Sequence, residues 1–195
     1  DHVTGLVLRG VFLGMREELD WFYGGGAARF FPDLWARFQE PIPPSERHDM
    51  IAAYHARLFD TDIDRQTRHA QPWLMWENAL AGLQSGPGGH APADYARAFA
   101  RLENHYFRHG CFLKEGQLLR ERARIEHLPA IIVQGRYDMV CPPDSAWRLA
   151  QGWEKADLRL VPASGHALSE PRITAELAAV MDSIRDEDRS RKTDR

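Results

Sequence analysis

The sequence predicts an α/β protein whose parallel sheet is interrupted by a long helical insertion. Three observations carry this. β-branched apolar runs open the chain ("VTGLVLRGVFL", 3–13) and recur near its end ("AIIVQG", 130–135, and "LRLVPASGH", 158–166). Between the first run and the second, strand character almost vanishes, and aromatic residues and alanines recur at helical spacing. From the second run onward the chain alternates strand, loop and helix, the pattern of parallel strands joined by crossover helices.

Taken in order, residues 1–13 supply one strand of the core and 14–120 a helical cap. Residues 121–185 supply the C-terminal part of the core, and 186–195 a disordered tail, because "DEDRSRKTDR" has no apolar member. In the cap, Met50, Ile51, Tyr54 and Leu58 share one helical face, and Tyr95, Phe99, Leu102 and Tyr106 share another. "IPPSE" (42–46) has the form of a helix start, and "QSGPGGHAPAD" (84–94) the composition of a mobile loop. In the last zone "PPDSAWRLAQGW" is a helix N-capped by Asp144. A final helix beginning near Pro171 buries Ile173, Leu177, Val180 and Ile184.

The 195 residues are 44% hydrophobic, with a formal net charge of −3. So nearly balanced a charge gives no reason to expect nucleic acid or an anionic membrane surface as partner. No apolar stretch reaches the span of a bilayer, and no signal peptide opens the chain. Two cysteines, Cys111 and Cys141, are too few for a disulfide framework, which fits a reducing compartment. The expectation is a soluble, cytoplasmic protein; its oligomeric state is not legible. The first residues lead almost directly into a strand, as if the chain were entered in the middle of a fold.

Ligands of open α/β sheets sit at the carboxyl ends of the strands. Asp138, after "AIIV", and His166, after "LRLV", both fall there, with room for one crossover helix between them. An aspartate accepting a hydrogen bond from an imidazole fixes its tautomer and stabilises the imidazolium, so the histidine can act as general base and then acid. From spacing alone, a turn aspartate and a loop histidine account for the pattern equally well. A Ser, Asp, His order is that of α/β-hydrolases, but the G-x-S-x-G elbow that holds their nucleophile does not occur here. Ser85 follows no strand and Ser164 shares the loop of His166. In this fold the serine precedes the cap, so it is expected upstream of Asp1, with this chain forming the C-terminal portion of an enzyme.

Two carboxylates interrupt apolar helix faces. Glu77 lies four residues after Trp73, and Glu103 four from both Phe99 and Phe107. A buried carboxylate costs several kcal/mol, of order ~3–5, unless paired. Two converging on one pocket would suit a cationic ligand such as an α-ammonium group; alternatively, each pairs with an arginine as a structural bridge. His105 and His109 are an i, i+4 pair without the pattern or third ligand of a metal site, and no metal is expected. Cys141 reads as a small buried thiol near Asp138, and "YGGGAA" follows no strand and so is no phosphate loop.

Together "LVLRGVF", "DWFYGGGAARFFPD", "WENA", "RLENHYF", "GRYDMVCP" and "SGH…EP" resemble the proline iminopeptidases (prolyl aminopeptidases), serine peptidases of the α/β-hydrolase superfamily, in order from about residue 1 to 180. The resemblance implies an α/β-hydrolase fold with a helical cap, its N-terminal half absent, and release of N-terminal proline from peptides without metal or cofactor. It implies that Asp138 and His166 are the triad acid and base, and that Glu77 and Glu103 hold the prolyl ammonium. Arg9 matches a family residue near the substrate, Phe12 a wall of the proline pocket, and Cys141 a position beside it. Since the serine is missing, the chain by itself is expected to be inactive, with unpaired sheet edges that favour aggregation. The alternatives are another capped α/β-hydrolase, an esterase or epoxide hydrolase, or a noncatalytic remnant.

Overall fold

A computed structural model describes residues 2–84 and 90–193. It divides into two compact units: Asp1–Val11 with Glu121–Arg195, and Phe12–Arg120.

The first unit is built on a parallel sheet in the order β1-β2-β3, with β1 Leu6–Arg9, β2 Ala130–Gly135 and β3 Ala156–Val161. Leu6 stands opposite Ala130, and Ala130 opposite Ala156. The run predicted over 3–13 yields a strand of only 4 residues. Gly10 ends it with a left-handed φ of +56°, a conformation open to glycine and costly for other residues. β2 is central and nearly all buried, which is why it reads as a continuous apolar run rather than an alternating one.

Two helices, α7 (Pro143–Ala150) and α8 (Pro171–Thr193), pack on the sheet. Ile173 and Val180 of α8 meet Val133 and Val161, all four buried, with Ile131 and Leu177 packed against them. Each such side chain removed from water contributes about 1.5–3 kcal/mol. Ile184 does not belong to that stripe: it is 37% exposed. Nor are residues 186–193 a disordered tail, since α8 continues to Thr193. Both corrections have one geometric root. A helix of 23 residues is about 35 Å long, whereas a six-residue strand spans about 20 Å, so the end of α8 outruns the sheet. Charge pairing supports its later turns, with Arg185 at 2.7 Å from Asp182 and 3.2 Å from Asp186. Asp144 is not the N-cap of α7. Pro142 holds that position and Pro143 the first helical one, leaving Asp144 in the first turn, where its charge complements the helix dipole.

The second unit is helical: α1 Arg16–Tyr23, α2 Pro32–Gln39, α3 Met50–Leu58, α4 Ile63–Ala81, α5 Ala93–Arg108 and α6 Gln117–Arg120, joined in part by 3₁₀ turns. Met50, Ile51, Tyr54 and Leu58 are buried as their spacing predicts. "IPPSE" does not start α3; it forms a 3₁₀ turn over Pro44–Glu46. Asp49 caps α3 instead, its Oδ1 accepting from the Ala52 N–H at 3.0 Å. The core is aromatic. Phe38 stacks on Tyr54 at 4.7 Å and on Trp76 at 5.7 Å, and Tyr54 Oη donates to the Phe38 carbonyl at 2.7 Å. Burial pushes the Tyr54 phenol well above its ordinary pKa.

On α5 the structure reverses the expected face. Tyr95, Leu102 and Tyr106 are 55%, 62% and 47% exposed, while Ala96, Ala100 and Asn104 are buried. Small residues at i, i+4 spacing let α5 lie close against α3 and α4, and the larger aromatic stripe falls outside. The two ends of this unit meet. A Cβ added at Gly14 would stand 3.2 Å from both Cys111 Cβ and Leu113 Cδ1, and the Arg16 N–H donates to the Glu115 carboxylate at 3.2–3.3 Å. Residues 85–89, with Ser85 and part of the loop expected over 84–94, lie outside the described residues. No helix among the described residues is long and apolar enough to cross a membrane.

Candidate functional site

In the sheet unit, Asp138 and His166 come together at the carboxyl ends of β2 and β3. Asp138 is 2% exposed and its Oδ2 lies 2.9 Å from His166 Nδ1. Its other partners can only donate: the Val140 and Cys141 N–H groups to Oδ1 at 3.0 and 2.8 Å, and Gln134 Nε2 to Oδ2 at 2.8 Å. A carboxylate whose three other partners all donate is left with acceptor capacity facing the ring, so Nδ1 of a neutral His166 carries the hydrogen. Nε2 is then the ring's free lone pair, the form a general base requires.

The loop carrying His166 is tied down by main-chain and side-chain bonds. The Arg136 N–H donates to Val161 O, and the Tyr137 N–H to Ser164 O, each at 2.9 Å. Arg9 Nη1 donates to the His166 carbonyl, so Arg9, expected near a substrate, bonds to the histidine's own backbone. Gly10 leaves space for the ring: a Cβ there would approach His166 Cε1 to 2.8 Å. Gly10→Ala is therefore expected to displace the imidazole from Asp138. Its left-handed backbone alone should cost about 1–2 kcal/mol. Urea unfolding checks the stability, and the low-field Nδ1 proton resonance of His166 checks the displacement.

In the helical unit, Glu77 on α4 and Glu103 on α5 are brought together. Their carboxyls are hydrogen-bonded to each other. Tyr23 Oη donates to Glu77 Oε1, and Trp73 Nε1 to Glu103 Oε2 at 3.0 Å. No arginine or lysine pairs with either among the described residues, so the structural-bridge alternative lacks its cation. Two acceptor groups in mutual hydrogen-bond contact must share a proton. Burial raises the pKa of both, Glu103 to about 7 and Glu77 well above its ordinary value, the latter pushed further by the Glu103 charge. Rings surround the pair: Tyr23 stacks on Trp73 at 4.5 Å and lies 5.5 Å from Phe107, whose edge meets Phe12 at 5.9 Å. Phe12 thus sits among these aromatics, within the same unit.

Three contributors went unread in the sequence. Gln134 is the one polar residue in a buried run, and a polar interruption of "AIIVQG" was the available signal. Asn104 is fully buried, its Oδ1 accepting from His55 Nδ1 at 2.8 Å and its Nδ2 donating to Ile51 O at 2.9 Å, which holds α5 against α3 one residue from Glu103. Tyr23, partner of Glu77, lies in "DWFYGGGAARFFPD", where no local pattern sets its hydroxyl apart from the neighbouring aromatics. Cys141 is buried and forms no disulfide, and its N–H serves Asp138. His109 stacks on Phe112 and His105 lies tilted against the same ring rather than the two converging on a third ligand, and no group of three candidate ligands could hold a metal ion among the described residues.

These features define an α/β protein with an aspartate-oriented histidine at its strand ends and an uncompensated carboxyl pair among helices. Nearly the whole chain is similar to curated proteins named proline iminopeptidase. It is 46% identical over 188 residues to that of Xylella fastidiosa (strain Temecula1 / ATCC 700964), covering 94% of this chain and 60% of the relative. It is 48% identical over 183 residues to that of Xanthomonas citri (92% and 58%). The Arabidopsis thaliana protein is 43% identical over 190 residues (95% and 50%). The chain thus spans 50–60% of the length of these relatives. No family model matches it.

Proposed function

We propose that the chain supplies the acid–base pair and the amine-binding site of a proline iminopeptidase built on an α/β-hydrolase fold. The observation that carries this is the Glu77–Glu103 pair without a cation, set among aromatic rings. An N-terminal proline is a secondary amine, and its ammonium nitrogen carries two N–H donors, one for each carboxylate. Its pyrrolidine ring suits the faces of Tyr23, Trp73 and Phe107, with Phe12 as a further wall. An N-acylated proline brings neither charge nor donor and would leave both carboxylates unpaired, which disfavours it strongly.

A serine on a segment upstream of this chain is the nucleophile in this reading. His166 Nε2 takes its proton as the hydroxyl attacks the prolyl carbonyl, and Asp138 stabilises the imidazolium. His166 then protonates the departing amine, and water, deprotonated by the same nitrogen, hydrolyses the acyl-enzyme. Arg9 serves by holding the His166 loop, and Cys141 by donating its N–H to Asp138. The substrates are peptides with N-terminal proline, and no cofactor enters any step.

The test has two stages. At pH 8 the chain should bind prolinamide and not N-acetylprolinamide in titration calorimetry. Loss of one carboxylate in Glu77→Ala should weaken binding about thirtyfold or more, the usual cost of truncating a buried charged partner. Extended upstream to the length of its relatives, the protein should cleave a prolyl-arylamide and spare the N-acetylated form. Equal handling of blocked and free amines would sink the reading.

A further inference from the structure

We infer that Gln134 is a positioning residue for the Asp138–His166 pair, fixing through its amide which oxygen Asp138 offers to the imidazole. The inference rests on the function proposed above, but its geometry stands independently. Gln134 occupies β2 with no exposed surface, sharing a strand face with Ala130 and Ile132. Such a position normally holds an aliphatic side chain.

The orientation of the amide is dictated by its neighbours. The Val11 N–H can only donate, and it lies 3.0 Å from Oε1. That turns Nε2 toward two groups that can only accept, Asp138 Oδ2 at 2.8 Å and the Cys141 carbonyl at 2.9 Å. Both amide hydrogens and the oxygen are therefore used, and a flipped amide would set like against like at every contact. One side chain thus joins β1's exit, the loop after β2 and the carboxylate. Asp138 Oδ1 is held by two backbone N–H groups from its own loop. Among the described residues, Oδ2, the oxygen that receives His166, is held otherwise only by Gln134. A misplaced Oδ2 would no longer select the Nδ1–H tautomer that leaves Nε2 free as the base.

The experiment is ¹⁵N NMR of the histidine rings in the full chain and in Gln134→Met, which keeps length and volume while deleting donor and acceptor. The wild-type His166 ring should show a single Nδ1–H tautomer with a low-field Nδ1 proton. In Gln134→Met that proton should broaden or vanish, and the ratio of the two neutral tautomers should fall by about tenfold or more, the worth of one hydrogen bond to a charged group. A purely structural role would lower the unfolding midpoint yet leave the His166 pattern as in wild type, and that result would overturn the inference. Should Gln134→Met fail to fold, the wild type still decides: the Gln134 amide protons should be protected from exchange, and one should shift as His166 is titrated. Rapid exchange, or no shift, would also overturn it. None of these readouts requires peptidase activity. If the extended protein fails to cleave prolyl substrates while the tautomer responds, the functional reading falls and the positioning role stands.

Discussion

Raising the pH from about 5 to about 8 is expected to destabilise the chain through Glu77 and Glu103, and replacing both by Gln to remove that part of the loss. An ordinary glutamate titrates near 4.5, whereas burial lifts Glu103 to about 7 and Glu77 well above its usual value. Between those points the folded chain keeps protons that the unfolded chain has already released. Stability therefore falls as pH rises through the window, by at most about 1.4 kcal/mol per pH unit for each proton retained. His69 acts in the opposite sense: burial lowers its pKa from 6.5, so its contribution rises with pH until the unfolded imidazole has lost its proton. The informative quantity is thus the difference between wild type and Glu77→Gln/Glu103→Gln, in which a pair of amides can still hydrogen-bond. Urea midpoints at several pH values supply it. A difference that stays constant with pH would show that the two carboxyls share no proton.

The same chemistry ties ligand binding to protons. An ammonium group docking between the carboxyls displaces the proton they share, so prolinamide should bind more tightly above pH 7 than at pH 5. The measured heat should then vary with the ionisation enthalpy of the buffer.

Trp73→Ala is expected to be the most destabilising single change in the helical unit, about 3–5 kcal/mol for a large aromatic side chain removed from a closed core. Trp73 is fully buried, stacked on Tyr23 at 4.5 Å and packed edgewise on Tyr54 at 5.3 Å and Phe38 at 6.0 Å. Trp73→Phe separates its two roles. It retains most of the ring contacts, yet deletes the Nε1–H that reaches Glu103, leaving that oxygen short of a partner at a cost of about 1–3 kcal/mol. The lost donor favours the ionised carboxylate, so Trp73→Phe should also weaken amine binding at neutral pH. Chemical denaturation of both variants checks the order. Equal losses would show that the stack contributes little and that the hydrogen bond dominates.

How much of this was legible follows a physical pattern. Regular features with strong local signals could be read: the apolar run of β2, the buried face of Met50, Ile51, Tyr54 and Leu58, and the start of α8 at Pro171. Asp138 and His166 could be paired because parallel strands deliver their following loops to one rim. Ends of elements were harder, because they depend on which residue wins a local competition. Asp49 displaced "IPPSE" as the start of α3, and Pro142 displaced Asp144 as the cap of α7. The face of α5 was misread because periodicity marks where large apolar groups recur, whereas close helix packing selects the smallest residues, here Ala96 and Ala100. Gln134 and Asn104 escaped altogether. Their worth lies in partners distant along the chain, such as Val11 and Ile51, which no local pattern encodes.

The meeting of Gly14 and Arg16 with Cys111, Leu113 and Glu115 bears on how the chain finds its fold. β1 and β2 pair across more than a hundred intervening residues, a separation that by itself makes closure slow. Once the helical segment has folded on its own, however, its ends lie within van der Waals reach, and the loop that must close is effectively about twenty residues long. The order of events should thus be helices first and strand pairing second, with the Asp138–His166 contact among the last to form. An insertion that returns to its starting point is also a replaceable one. Helical segments of different length could be exchanged at these ends without altering the β1–β2 register or the Asp138–His166 contact.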